Sequence, residues 1–344
     1  MSIAERAPGA GQDEGSGLSV RVLVVVLAVQ VVLAAVAVYF AVAGWPFVGG
    51  GRHATPVPAR SQGAATPPVT GARAIAAVDA VPRPRTDRFD ETRAFALLRR
   101  QVEVYGARPA GSAPLRRLAA DLRSRLPHGR LEPVPGHPGL QNVVGVLPGR
   151  MPAIVVGAHY DTQPEPAGYL GANDGAAGTA AVVELARTLR KAPVRGGREV
   201  RFVLFDGEEL PAGKTNFLRD ALRGSKAYVN RHRGQVESMI LLDYVAGRAL
   251  RLPREDTSTP ELWHRLRTAA ARVGVSPVFP DAVQGGIWDD HTPFLDAGIP
   301  AIDLIDFSYP QEGTMLDDVA HVSARSLDAA GEAVASLLLA ERRR

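Results

Sequence analysis

The most uneven feature of the hydropathy pattern is the run from Val22 to Ala43, VLVVVLAVQVVLAAVAVYFAVA, which carries no charge and one polar residue, Gln30. A helix buried in a soluble domain shows a polar stripe, and this run has none. At 1.5 Å per residue, about twenty apolar residues span the hydrocarbon core of a bilayer. Ala41-Val42-Ala43 before Gly44 also resembles a small-residue cleavage site. The apolar core of a signal peptide is usually only about 7–15 residues, however. The pattern therefore predicts an uncleaved transmembrane anchor over residues 22–43 behind a tail of residues 1–21. Arg6 and Arg21 precede the span and Arg52 and Arg60 follow it, so charge bias alone does not orient it. A short tail before a large domain places the tail in the cytoplasm. The expectation is a single-pass cell-membrane protein with an extracytoplasmic domain.

From residue 44 to 88 no helical or alternating period survives. Pro46, Pro56, Pro58, Pro67, Pro68, Pro82 and Pro84 fall among Ala, Gly and Ser, the composition of a semi-rigid tether. Beyond it, residues 89–344 have the size of one α/β domain. Short β-branched runs predict strands at Asn142–Leu147, Ala153–Ala158, Val200–Phe205, Met239–Asp243 and Ala301–Ile305. Helical periods predict helices at Glu91–Tyr105, Leu115–Leu126, Gly178–Arg190, Pro260–Val273 and Ala324–Ala340. Runs such as IVVGA, VRFVLF and MILLD are apolar at every position, as in strands buried on both faces. The expected fold is a three-layer α/β/α sandwich with a mostly parallel central sheet.

Composition narrows the chemistry. The 344 residues are 46% hydrophobic and include no cysteine. That excludes a disulfide framework, an iron–sulfur cluster, a thiolate zinc site and a cysteine nucleophile. Any metal must be held by His and carboxylates. Lys and Arg number 40 against 36 Asp and Glu, a net +4, and no basic face with a nucleic-acid module is visible, so no nucleic-acid partner is expected.

In open α/β sheets, ligands gather outside the carboxyl ends of the strands. There this sequence concentrates its acids and histidines. Val155–Ala158 runs into His159-Tyr160-Asp161, Val203–Phe205 into Asp206-Gly207-Glu208-Glu209, and Ile240–Leu242 ends on Asp243. Gly171-Ala172-Asn173-Asp174-Gly175 is a glycine-flanked loop opening a helix, and Trp288-Asp289-Asp290-His291 precedes another helix and the last strand. Singly, each has an ordinary structural explanation as a cap, a turn or a solvated face. Jointly, acidic loops at one sheet edge repel unless a cation compensates, and carboxylates with imidazole suit zinc.

GAHYDT, GANDG, FDGEE, LLD and DDHTPF, in this order and after GARPAGS, resemble the zinc-dependent exopeptidase superfamily that joins bacterial aminopeptidases to glutaminyl cyclases. The resemblance spans about Arg108 to Ala340. It implies one or two zinc ions and peptide or protein N-termini as substrates. It makes Asp174 the carboxylate that bridges two metals or binds a single one, Glu209 the next ligand, and Glu208 the general base and acid. His159 and Asp243 correspond to ligands of a second metal. In cyclases the Asp243 position belongs instead to a proton-handling network with that of Asp289. Asp161 is implied to orient His159, with Asp290 and His291 supporting from behind.

One departure stands out. The family pattern has a further histidine in the loop after the last strand, and alignment on Pro310, Thr314 and Val322-Ser323 puts Gly313 there. Either the metal shifts toward His159, Asp174 and Asp243, or a neighbour such as Glu312 or His321 substitutes, or the chain binds peptides without turnover. The doubled acid Asp289-Asp290 and the long stretch Leu210–Arg223 resemble cyclases. GANDGAAGTA resembles aminopeptidases, and Lys214 and Glu312 stand where cyclases carry tryptophan. The leading expectation is a glutaminyl-peptide cyclotransferase-like enzyme releasing ammonia, with a metallo-aminopeptidase and a catalytically impaired peptide binder as alternatives.

Overall fold

The computed structural model describes residues 81–344. The anchor predicted over 22–43 and most of the tether lie outside the described residues. Among those described, no helix is long and apolar enough to cross a membrane.

Helices α1 (Glu91–Arg100) and α2 (Ala113–Arg125) lead into strands β1 (Arg130–Pro133), β2 (Gln141–Leu147) and β3 (Arg150–His159). Then come α3 (Ala176–Lys191), β4 (Arg198–Phe205), α4 (Arg223–His232), β5 (Val236–Asp243), β6 (Arg254–Glu255), α5 (Pro260–Val273), β7 (Val283–Gln284), β8 (Ala301–Ile305) and α6 (Ala324–Glu341). The main sheet has six strands in the order β1-β2-β4-β3-β5-β8. β4, β3, β5 and β8 run parallel, while β2 is antiparallel to β4 and β1 to β2. The fold is thus mixed α/β around a mostly parallel sheet. Each predicted strand is present to within a few residues. The first predicted helix ends as a wider π turn over Gln101–Tyr105, where buried Gln101 donates to the Ala176 carbonyl at the start of α3.

The uninterrupted apolar strands have the cause expected of them. Ile154, Val156 and Ala158 face a core shared with α1, α2, α3, α5 and α6. Val155 joins Phe205, Met239 and Leu241 on the other face, under Tyr228 of α4 and Phe294. α3 packs unusually close to the sheet. A Cβ on Gly178 would stand 2.0 Å from the Leu242 carbonyl oxygen, so only glycine lets this helix start directly above the strand ends.

β1, α4 and the small β6–β7 ladder escape prediction. β1 reads RLEP, an edge strand with two charged residues. α4 begins RGSK after Leu222, which has positive φ and gives no side-chain cap, so the usual start signals are missing.

Candidate metal centre

Three parallel strands end side by side and deliver His159, Glu208-Glu209 and Asp243 to one edge of the sheet. His159 is buried. Its Nε2 lies 2.9 Å from Asp174 Oδ1 and 3.5 Å from Asp243 Oδ1, and its Nδ1 lies 3.6 Å from Asp161 Oδ1. Neither ring nitrogen completes a directed hydrogen bond, although Nε2 is aimed between two carboxylates. Such convergence without hydrogen-bond geometry is what a cation ligand set looks like. His159, Asp174 and Asp243 can each offer a ligand atom within 4.8 Å of the others; so can His159, Glu208 and Glu209. The donor set of imidazole and carboxylate oxygen fits a divalent metal.

Asp174 is fixed from several directions. Its Oδ2 accepts from the hydroxyls of Tyr169 and Tyr244 at 3.0 and 2.9 Å. Its backbone N–H donates to buried Asp317, which also accepts from Asn173 N–H, Tyr169 and Tyr309. Gly171 and Gly175 have positive φ, and a Cβ on Gly171 would lie 2.4 Å from the Asp174 carbonyl. The buried Arg108 guanidinium donates to the carbonyls of Tyr160, Leu170 and Gly171, clamping this loop to the end of β3. Burial pulls Arg108 down to about 10.

Asp161 holds more than His159. Its two oxygens accept the backbone N–H groups of Glu208 and Glu209 at 3.2 and 3.3 Å, so it shapes the turn that carries both glutamates. Burial, then repulsion from Glu209, pushes the Glu208 carboxyl well above its usual range. Burial likewise pushes Asp243 up to about 7, against the opposing pull of His159. His159 itself would be lowered by burial, but Asp161, Asp174 and Asp243 together raise it well above the ordinary imidazole value. The cluster is short of positive charge.

Asp289 also reaches this centre, and Asp290 and His291 are fully buried behind it. The Asp290 N–H caps the Asp289 side chain. His291 Nε2 lies 3.3 Å from Glu255 Oε2 and 3.0 Å from Thr257 Oγ1, and its Nδ1 3.7 Å from Asp303 Oδ2. Asp289, His291 and Asp303 form a further close group. Burial, followed by repulsion from Asp289 and Asp243, drives the Asp303 carboxyl well above its usual range.

A cavity of about 530 Å³ opens over these residues, lined by Asp174, Glu208, Glu209, Asp243 and Asp289, with Tyr244, Trp288, Phe307 and Glu312 among its walls. A larger depression of about 790 Å³ lies between α1, α2 and α3 and contains none of the strand-end acids; the chemistry belongs to the former. Gly313 has positive φ and open space where a Cβ would stand. Glu312 lines the cavity, whereas His321 pairs with Asp318 at 2.8 Å and faces a separate depression. His321 is therefore removed as a substitute ligand.

The structure thus gathers Asp174, Glu208, Glu209, Asp243 and Asp289 around one cavity, with His159 and Asp161 buried against them and Asp290 and His291 packed behind. Sequence reasoning missed Asp317, Asp303, Glu255 and Tyr169. Asp303 sits mid-strand in AIDLI, and an acid inside an apolar buried strand is the signal that marked it.

Fold and site together define a metallopeptidase-type α/β protein. The chain belongs to peptidase family M28, whose model matches residues 142–338. Among curated proteins it is similar to aminopeptidase YwaD of Bacillus subtilis, 31% identical over 213 residues, covering 56% of this chain and 43% of that protein. It is also similar to the glutaminyl-peptide cyclotransferase of Bos taurus, 26% identical over 221 residues, covering 53% of this chain and 61% of that protein. The chain thus spans about half the length of these two curated relatives. Among solved structures, the glutaminyl cyclase of Porphyromonas gingivalis matches with a TM-score of 0.65 and 27% identity, over 74% of this chain and 100% of that one.

Proposed function

We propose that this chain is a zinc-dependent enzyme acting on the N-termini of peptides, with cyclisation of an N-terminal glutaminyl residue as its reaction. The supporting observation is the buried acid network, in which Asp243 and Asp289 line the cavity and Asp303 is buried close to Asp289, all three with raised carboxyl pKa values. Such a network can store and relay the proton that a cyclisation moves. Asp174, Glu209 and His159 would hold the metal, leaving Asp243 to the acid network. Bound there, zinc would supply a Lewis acid toward the reacting amide carbonyl. Glu208 would accept the proton from the substrate's attacking α-amine and pass it to the departing ammonia, so the γ C–N bond breaks as the ring C–N bond forms. Its upward-shifted carboxyl suits a group that must both take and give a proton. Asp161 positions Glu208 by holding its backbone N–H.

A second reading, aminopeptidase hydrolysis, is favoured by the closeness of His159, Asp174 and Asp243, because the resemblance assigns His159 and Asp243 to a second metal that aminopeptidases use. In that case Glu208 would deprotonate water instead. The apolar segment 22–43 supports a membrane-anchored, extracytoplasmic placement in either reading.

The test is direct. A glutaminyl peptide should release ammonia, whereas turnover of a chromogenic amino-acid amide alone would select hydrolysis. Glu208→Gln should abolish turnover while the metal is retained. Wild-type turnover in that variant would remove Glu208 from the mechanism.

A further inference from the structure

Carboxyl groups dominate the polar lining of the cavity. Asp174, Glu208, Glu209, Asp243, Asp289 and Glu312 all line it, and among the described residues no Lys or Arg does. Buried Asp289 has an Oδ2 with no hydrogen-bond partner. Asp174, Glu208, Asp243 and Asp289 are buried, whereas Glu312 is exposed on the outer wall.

The same cavity is lined by two aromatics that the fold leaves open. Trp288 is 59% exposed and Phe307 is 52% exposed, and both line the cavity with Glu312. Large aromatics left standing in water are costly to maintain for packing alone. Together they make a recognition surface for a cationic side chain. Its aliphatic stem lies along the rings while its head meets the ring faces and the carboxylate.

We propose that this outer wall is a subsite for a basic side chain, so that the preferred peptides carry Lys or Arg directly after the N-terminal residue. The inference rests on the reading that peptide N-termini are processed at this centre. With the N-terminal residue against the inner acids, the second residue, about 3.5 Å further along the chain, comes to the mouth. An acidic second residue meets like charge there and is rejected. Glu312, standing where cyclases carry an aromatic, is then a specificity residue and not a replacement metal ligand.

The test measures binding, not turnover. The full-length chain carrying Glu208→Gln, in mild detergent with zinc present, is titrated calorimetrically with three peptide amides that differ only in the second residue: Gln-Lys, Gln-Leu and Gln-Glu series. The Lys peptide should bind about tenfold more tightly than the Leu peptide, and the Glu peptide more weakly than both. Adding Glu312→Gln should erase most of the Lys advantage, and added salt should shrink it. Trp288→Ala should reduce it in part. Equal binding of the Lys and Leu peptides, or a Lys advantage that survives Glu312→Gln, overturns the subsite while leaving the proposed function standing. Failure of all three peptides to bind overturns both.

Discussion

Asp161→Asn probes the link between scaffold and chemistry most sharply, because the change is nearly isosteric. The wild-type carboxylate is fully buried and accepts one N–H from each glutamate. Hydrogen bonds to a charged group contribute about 1.5–3 kcal/mol each. Asparagine keeps one acceptor oxygen, whose bond falls toward about 1 kcal/mol, and turns an NH2 group toward the other amide. That amide is then buried without a partner, at a cost of about 1–3 kcal/mol. Relief of repulsion with Asp206, which Asp161 helps push up to about 7 after burial, returns part of the loss. The net expectation is a destabilisation of about 2–4 kcal/mol, read by urea unfolding of the metal-free chain with an unchanged m-value. Zinc affinity should fall about 10–100-fold, the usual cost of losing a group that orients a ligand. A stability change below about 0.5 kcal/mol, typical of an unconstrained surface site, would refute the assigned hydrogen bonds. Wild-type zinc affinity would separate Asp161 from His159.

Other perturbations test separate parts of the account. Gly178→Ala should destabilise by about 3 kcal/mol or more despite better helix propensity, since its Cβ meets the Leu242 carbonyl oxygen at 2.0 Å; an unchanged thermal midpoint would contradict that packing. For Glu255, burial is outweighed by His291 and the N–H groups of Thr257 and Ile287, which lower its folded pKa from 4.5 to about 2. A depressed folded pKa gives stability that is present above 4.5 and lost as pH falls through about 2, up to roughly 3 kcal/mol. The stability gap between wild type and Glu255→Gln should therefore narrow on acidification from pH 6 to pH 3, and a constant gap refutes the assignment. Gly313→His should raise zinc affinity at a backbone cost of about 1 kcal/mol, because its φ of 65° is left-handed but the space beside it is open; unchanged affinity would mean that another residue aligns with the family's histidine.

The strand ends carried most of the readable signal. Runs such as IVVGAH and MILLD change from apolar to ionisable within a residue, and a parallel sheet turns that linear pattern into a cluster. His159, Glu208 and Asp243 could therefore be placed at one edge without knowing the strand order. Asp174 followed from its glycine-flanked loop. Asp317 could not be found this way. It lies in an irregular segment more than 140 residues from the loop it holds, and its role exists only once Asn173, Asp174, Tyr169 and Tyr309 are brought around it. Glu255 was hidden for a similar reason, since its partner His291 is far along the chain. Local periodicity cannot report a buried polar network whose members are joined by tertiary packing.

The metal-to-protein ratio tests the central claim most directly. After equilibration with zinc and exhaustive dialysis, elemental analysis of the full-length chain should find at least about one zinc per molecule, and Asp174→Ala should find almost none. A wild-type chain that holds no zinc and gains none on titration would contradict the account, because the strand-end acids would then converge with no cation to gather them.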